Sequence, residues 1–129
     1  MKTTTGLLPF FLFCGVLAAQ GAPSSTSGKD IFRAYCAACH GAAGKGDGPV
    51  APLLRKRPTD LTLLAKKNDG KFPGAEIAHE LKSVYQAPHG SPEMPIWGPF
   101  FTELSPVGEA LGTLRITNIV TYIQSLQTK

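Results

Sequence analysis

The stretch that decides the fold of this 129-residue sequence is Cys36-Ala37-Ala38-Cys39-His40. Two residues between the cysteines set their thiols about one helical turn apart, which matches the spacing of two adjacent vinyl groups on a haem. The histidine that follows is then held beneath the ring, where its imidazole can bind the iron. The pattern therefore predicts that Cys36 and Cys39 attach a haem covalently and that His40 is an axial ligand.

Three other uses of such a cysteine pair fit the sequence less well. A zinc site needs a second cysteine pair or closely spaced histidines, whereas His79 and His89 lie ten positions apart. A redox dithiol needs a strand and helix framework, and the sequence has no β-alternation of useful length. A disulfide across two residues would constrain little of the chain. The remaining cysteine, Cys14, lies in an apolar segment that we expect to be removed.

The first 22 residues have the pattern of a secretory signal peptide. Lys2 provides a positive start, residues 6–17 are almost wholly apolar, and small residues follow, which allows cleavage at about 19–22. The apolar run is short for a membrane span, and an uncleaved anchor is the alternative. We therefore expect a protein that is periplasmic or otherwise exported. Residues 23–27 form a flexible lead-in, and residues 28–129 form one domain.

The charge balance of the chain argues against nucleic acid as a partner. Lys and Arg number 13 against 9 Asp and Glu, a net charge of only +4, and the basic residues are not interleaved with exposed aromatics, so we expect no nucleic acid. Residues 55–57 and 66–71 make the middle of the chain locally basic. This region is either a solvated face or a docking patch for an acidic redox partner.

The remaining pattern is helical and interrupted by loops rich in glycine and proline. Ser27 is a candidate N-cap for a first helix, and residues 41–54 form a loop that suits wrapping around a ligand. Residues 59–70 contain a short helix, residues 73–84 another, and residues 114–126 the clearest amphipathic helix. Residues 100–113 are more apolar than a loop requires, and they form either extra core or a patch at a partner interface.

Taken together, five segments resemble the class I (Met/His) cytochrome c family over roughly residues 28–127. They are CAACHG at 36–41, GKGDGP at 44–49, PTDLT at 58–62, MPIWG at 94–98, and the C-terminal amphipathic helix. The resemblance implies an all-α, small cytochrome c-like fold, with about four helices wrapped around one covalent haem c. It also implies that Met94 is the second axial ligand to iron, opposite His40.

The loop around Met94 supports this assignment. Pro92 and Pro95 flank the methionine and stiffen the loop, which suits holding a weak thioether ligand, and His89 is the rival ligand. By the same resemblance, the carbonyl of Pro52, or alternatively Pro49, accepts the second N–H of His40.

The resemblance also assigns parts of the pocket and the core. Leu53 and Trp97 join Pro52 in the haem pocket. The first and last helices cross through a glycine–aromatic contact that involves Gly28, Phe32 and Tyr122.

These expectations point to an electron-transfer protein and not to an enzyme, since no nucleophile–base motif or phosphate loop stands out. The expected partners are a protein electron donor and acceptor, with possible transient contact with a membrane respiratory complex, and the protein is expected to be a monomer. Two alternatives stay open. The chain is a haem-bearing subunit of a larger dehydrogenase or oxidase, or it is an open-site haem enzyme or gas sensor.

Overall fold

The computed structural model describes residues 26–83, 93–103 and 108–128. The signal peptide at 1–22, nearly all of the lead-in at 23–27, and His89 and Pro92 therefore lie outside the described residues, and what the sequence predicts of them stays a prediction. Within the described ranges every regular element is helical and no strand occurs, which confirms the all-α fold. No helix in these ranges is long and apolar enough to cross a lipid bilayer.

The helices pack around one core. The first runs without a break through α1, a π-helical turn and α2, and three separate α-helices follow after a long irregular segment. Their bounds are Gly28–Ile31 (α1), Phe32–Cys36 (π turn), Ala37–His40 (α2), Gly74–Lys82 (α3), Trp97–Glu103 (α4) and Glu109–Ser125 (α5). The irregular segment contains three short 3-10 turns, at Ala51–Leu53, Leu61–Leu63 and Lys66–Asn68.

The first helix begins and ends where its sequence predicts. The Ser27 side chain accepts a hydrogen bond from the backbone N–H of Asp30, as an N-cap does. In the π turn, the N–H of Ala37 donates to the carbonyl of Phe32, five residues earlier. A π turn of this kind inserts one extra residue into a helix and is common at functional sites, and here it ends at Cys36, the first cysteine of the attachment motif.

The predicted crossing of the first and last helices is confirmed. Gly28 packs directly on α5, where a Cβ at this position would overlap the carbonyl oxygen of Asn118. The rings of Phe32 and Tyr122 lie 5.3 Å apart at the same crossing. The Asn118 side chain also donates to the carbonyl of Thr26 at 2.7 Å, so the crossing is both packed and hydrogen-bonded.

The core lies along α5, against which α1, α3 and α4 all pack. This last helix is longer than predicted, because it begins at Glu109 rather than near residue 114. The fully buried apolar side chains are Ile31, Phe32, Leu81, Phe101, Ile116, Ile119 and Ile123.

The helix α4 is not predicted by the sequence, because Pro99 makes its beginning look like a loop. Proline is tolerated in the first turn of a helix, where its missing N–H would have no partner within the helix. Phe101 in this helix is buried, and Gly112 of α5 packs against Thr102. The described parts of residues 100–113 therefore contribute extra core, whereas residues 104–107 lie outside the described residues.

Replacing Gly28 with alanine tests the helix crossing. We expect Gly28→Ala to lower the free energy of unfolding of the haem-loaded protein by about 1–3 kcal/mol, the usual cost of forcing an extra carbon into a packed contact. Denaturant unfolding measures it, with Lys29→Ala, at an exposed position of the same helix, as the control. Equal stability of Gly28→Ala and the control would contradict this account of the crossing.

Candidate haem-binding site

A cavity of about 260 Å³ opens between the first helix, the segment 54–64, α3, the segment 93–97 and α5. Its wall includes five residues that the sequence predicts for the site, which come from two distant parts of the chain: Cys36, Cys39, His40, Met94 and Trp97. Two thiols, one imidazole and one thioether therefore face a single space. Most of the remaining wall is apolar and is provided chiefly by Phe32, Tyr35, Leu54, Pro58, Leu61, Leu64, Ile77, Leu81, Pro95, Ile119 and Ile123.

The two cysteines are free and half-buried. Burial, together with the neighbouring Cys39, raises the pKa of the Cys36 thiol to about 12. The Cys36 sulfur is therefore a neutral thiol at physiological pH. A neutral thiol is poorly suited to holding a bare metal ion, because the thiolate is the form that binds metals.

The imidazole of His40 is oriented by the backbone of another segment. Its Nδ1 lies 3.0 Å from the carbonyl oxygen of Thr59, and because that oxygen can only accept, Nδ1 carries the proton. Burial lowers the pKa of His40, and the hydrogen bond to Thr59 partly opposes this shift. The ring is therefore neutral at physiological pH, and its Nε2 keeps a free lone pair, as an iron ligand requires.

The expectation that Pro52, or alternatively Pro49, accepts this hydrogen bond is wrong. After Gly41 the chain folds back along α2, with hydrogen bonds from the N–H of Gly48 to Cys39 and from the N–H of Val50 to Ala38. These bonds keep residues 49–53 beside α2 and away from the imidazole. A further bond, from the N–H of Leu61 to the carbonyl of Gly44, brings Thr59 back to His40 instead.

The same backbone path corrects the pocket assignment of Leu53. This side chain is 82% exposed, and neither Leu53 nor Pro52 lines the cavity. The next residue, Leu54, does line it. Gly48 lies so close to α2 that a Cβ at this position would overlap the Ala38 carbonyl. This contact holds the loop against α2 just before the turn at 51–53, and it therefore sets the path of the backbone.

Trp97 connects the methionine segment to the first helix. Its ring stacks on Phe101 at 5.5 Å and meets Tyr35 edge-on at 6.1 Å, so the start of α4 is held beside the attachment motif. The backbone at Gly98 packs on the carbonyl of Lys82, at the end of α3, with no room for a Cβ. These contacts bring Met94 to the cavity, where 38% of its side chain remains exposed.

Four charged residues on the cavity wall are not predicted by the sequence: Lys56, Arg57, Glu80 and Glu93. Arg57 reaches across its own loop and donates from Nε to the carbonyl of Gly46 at 3.3 Å. Glu93 accepts a hydrogen bond from the backbone N–H of Arg55 at 2.9 Å. Within the described ranges, no three His, Cys, Asp or Glu side chains lie together as a cluster of metal ligands.

The segment that contains Thr59 is capped by the next residue, Asp60. Its carboxylate accepts from both the hydroxyl and the N–H of Thr62, at 2.6 and 2.9 Å. The hydrogen bond from the Thr62 hydroxyl lowers the pKa of Asp60 below its ordinary value of 3.8, burial opposes this, and the Thr62 N–H and nearby lysines lower it further. The ionised carboxylate thus holds the turn that follows Thr59.

A pH series tests this cap. Because the native pKa of Asp60 lies below 3.8, its ionised form stabilises the fold above that pH, and the contribution is lost as the pH falls through the native pKa. We expect Asp60→Ala to lower the free energy of unfolding by about 1 kcal/mol at pH 7, and the difference from the wild type to shrink below pH 3.8. Asp60→Asn, which keeps an oxygen acceptor, should cost less, and a difference that does not change with pH would contradict the cap.

The donor set of the cavity fits a covalently attached haem. Two thiols can form thioethers, a neutral imidazole offers Nε2, a methionine sulfur faces the same space, and apolar side chains provide the walls. No curated protein and no solved structure gives a significant match to the chain. The family model described as cytochrome c matches residues 25–127, which contain every residue of this cavity. The chain belongs to the cytochrome c family, whose members carry covalently bound haem c.

Proposed function

We propose that this chain is an exported class I cytochrome c that carries one haem c and transfers single electrons between protein partners. The observation that carries the proposal is the position of Met94, which lines the same cavity as Cys36, Cys39 and His40. In this proposal His40 and Met94 would both be ligands to the iron, which would leave no coordination position for a substrate. The protein then acts as an electron carrier and not as an enzyme.

The residues of the cavity have separate roles in this proposal. Cys36 and Cys39 hold the haem through two thioethers, and His40 and Met94 bind its iron. The haem supplies the redox chemistry, since its iron changes between the ferric and ferrous states. A thioether sulfur favours the ferrous state, so a methionine ligand raises the reduction potential.

The surroundings of these residues tune the site. The bond from His40 to Thr59 fixes the imidazole tautomer and increases its basicity as a ligand. The apolar wall excludes water from the iron. Lys56 and Arg57, two exposed cations on the wall, are the groups that would balance the charge of the haem propionates.

The proposed setting is the periplasm or another exported location, after removal of residues 1–22. The exposed basic residues 55–57 beside the cavity would steer an acidic electron donor or acceptor toward it, and such steering weakens with ionic strength. We propose a monomer that meets its partners transiently, a membrane respiratory complex among them, and that binds no nucleic acid.

Substitution of Met94 tests the proposal. We expect the oxidised protein to show the weak long-wavelength absorption band of methionine-bound ferric haem, and Met94→Ala to lose it. His89→Ala, at the rival ligand, should keep the band. The reverse pattern, or fast binding of carbon monoxide by the reduced wild type, would contradict the proposal and favour an open-site haem enzyme or sensor. Co-purification with a membrane complex at high salt would favour a permanent subunit.

A second prediction concerns the attachment. We expect one haem per chain, and we expect this haem to remain with the polypeptide after denaturation and acid extraction. The double variant Cys36→Ser, Cys39→Ser has no thiol to form a thioether, so any haem that it binds should be released on denaturation. Haem staining of denaturing gels and the haem-to-protein ratio measure both. Haem retention by the double variant would contradict the assignment of the two cysteines.

A further inference from the structure

A hydrogen bond joins the methionine segment to the segment that contains Leu54 and Lys56, which line the cavity. The backbone N–H of Arg55 donates to Oε1 of Glu93 at 2.9 Å, across 38 positions of sequence. Glu93 is half-buried and lines the cavity, and Met94 is the next residue. Because one partner is a carboxylate, the bond is of the stronger, charge-assisted kind.

The segment that provides this donor also contacts the other axial ligand. Arg55 lies four residues before Thr59, whose carbonyl accepts from His40. This short stretch of backbone, residues 55–59, therefore bonds to the proximal histidine at one end and to the neighbour of Met94 at the other. The two hydrogen bonds therefore hold the histidine side and the methionine side of the cavity to the same short segment of backbone.

Other residues of the chain cover the Met94 side chain only in part. They leave 38% of it and 40% of the Ile96 side chain exposed, so contacts within the protein at these two residues do little to fix this part of the chain. The segment 93–98 is instead fixed near its two ends. Glu93 is bonded to Arg55 at one end, and Trp97 and Gly98 pack on neighbouring helices at the other.

We propose that Glu93 is a positioning residue for the sixth ligand. Its carboxylate, bound to the N–H of Arg55, holds the segment so that the Met94 sulfur stays at the iron. The inference rests on the proposed function, because it takes Met94 as the ligand. It goes further by assigning the strength of that ligation to a contact between two protein groups that are not themselves iron ligands. Hydrogen bonds of this kind commonly orient metal ligands.

Competition with imidazole in the ferric holoprotein measures how firmly the methionine is held. Imidazole must displace the Met94 sulfur, so its apparent affinity rises as the methionine is released more easily. We expect Glu93→Ala to bind imidazole about tenfold more tightly than the wild type, which corresponds to losing one hydrogen bond. Glu93→Gln keeps an oxygen that can accept from Arg55, and should stay within about threefold of the wild type.

The donor can be removed independently. Arg55→Pro deletes the N–H, and Leu54 already has the extended backbone that precedes a proline, with φ −88° and ψ 143°. Arg55→Ala removes the same side chain and keeps the N–H, so it is the matched control. We expect Arg55→Pro to tighten imidazole binding about as much as Glu93→Ala, and Arg55→Ala to leave it unchanged. The double variant Glu93→Ala, Arg55→Pro should add little to either change, because both remove one bond.

Glu76→Ala removes an equal charge from an exposed position of α3 and should behave as the wild type. If Glu93→Ala and Arg55→Pro bind imidazole as the wild type does, while Met94→Ala loses the long-wavelength band, the role of Glu93 is wrong and the ligand assignment stands. If the wild type lacks that band, the proposed function fails first. A gain in imidazole affinity by Glu76→Ala as large as that of Glu93→Ala would assign the effect to net charge. A gain of that size by Arg55→Ala would assign it to the Arg55 side chain, and either result would overturn the role of Glu93.

Discussion

The close crossing of the first helix over α5 is the constraint on which the other contacts depend. The absence of a side chain at Gly28 lets the two backbones meet, and this contact fixes the direction in which the first helix leaves the core. The attachment motif lies at the far end of the same helix. Because α3 and α4 also pack on α5, the position of α5 determines where the cavity walls lie relative to Cys36 and Cys39.

The two axial sides of the cavity are built differently. His40 is the last residue of α2, and a backbone carbonyl accepts a hydrogen bond from its imidazole. The side chain therefore has little freedom to rotate. Met94 lies outside a helix, is partly exposed, and depends on contacts made by its neighbours. The rest of the chain orients His40 directly, whereas the position of Met94 depends on the contacts of Glu93 and Trp97.

The cavity also explains why so short a chain has such irregular loops. Within the described residues the buried core comprises seven apolar side chains, and many other apolar side chains line the cavity. A covalently attached haem would pack against these side chains only in the folded chain, and the apolar surface that it buried there would stabilise the fold. Residues 41–64 then need little regular structure, because their backbone is held by turns against α2 and by the wall that they form.

The sequence by itself determined the features that depend on residues close together in the chain. The spacing of Cys36, Cys39 and His40, the cap at Ser27 and the periodicity of the last helix are local, and each could be predicted from a few neighbouring positions. The placement of Met94 at the same cavity matches the position that the family resemblance implies. The tertiary structure alone decided that Thr59 rather than Pro52 accepts from His40, that Leu53 faces solvent, and that Glu93 meets Arg55. These contacts depend on where the glycine-rich loop returns to α2 and on how distant segments pack around a shared cavity, and no pattern within one segment contains that information.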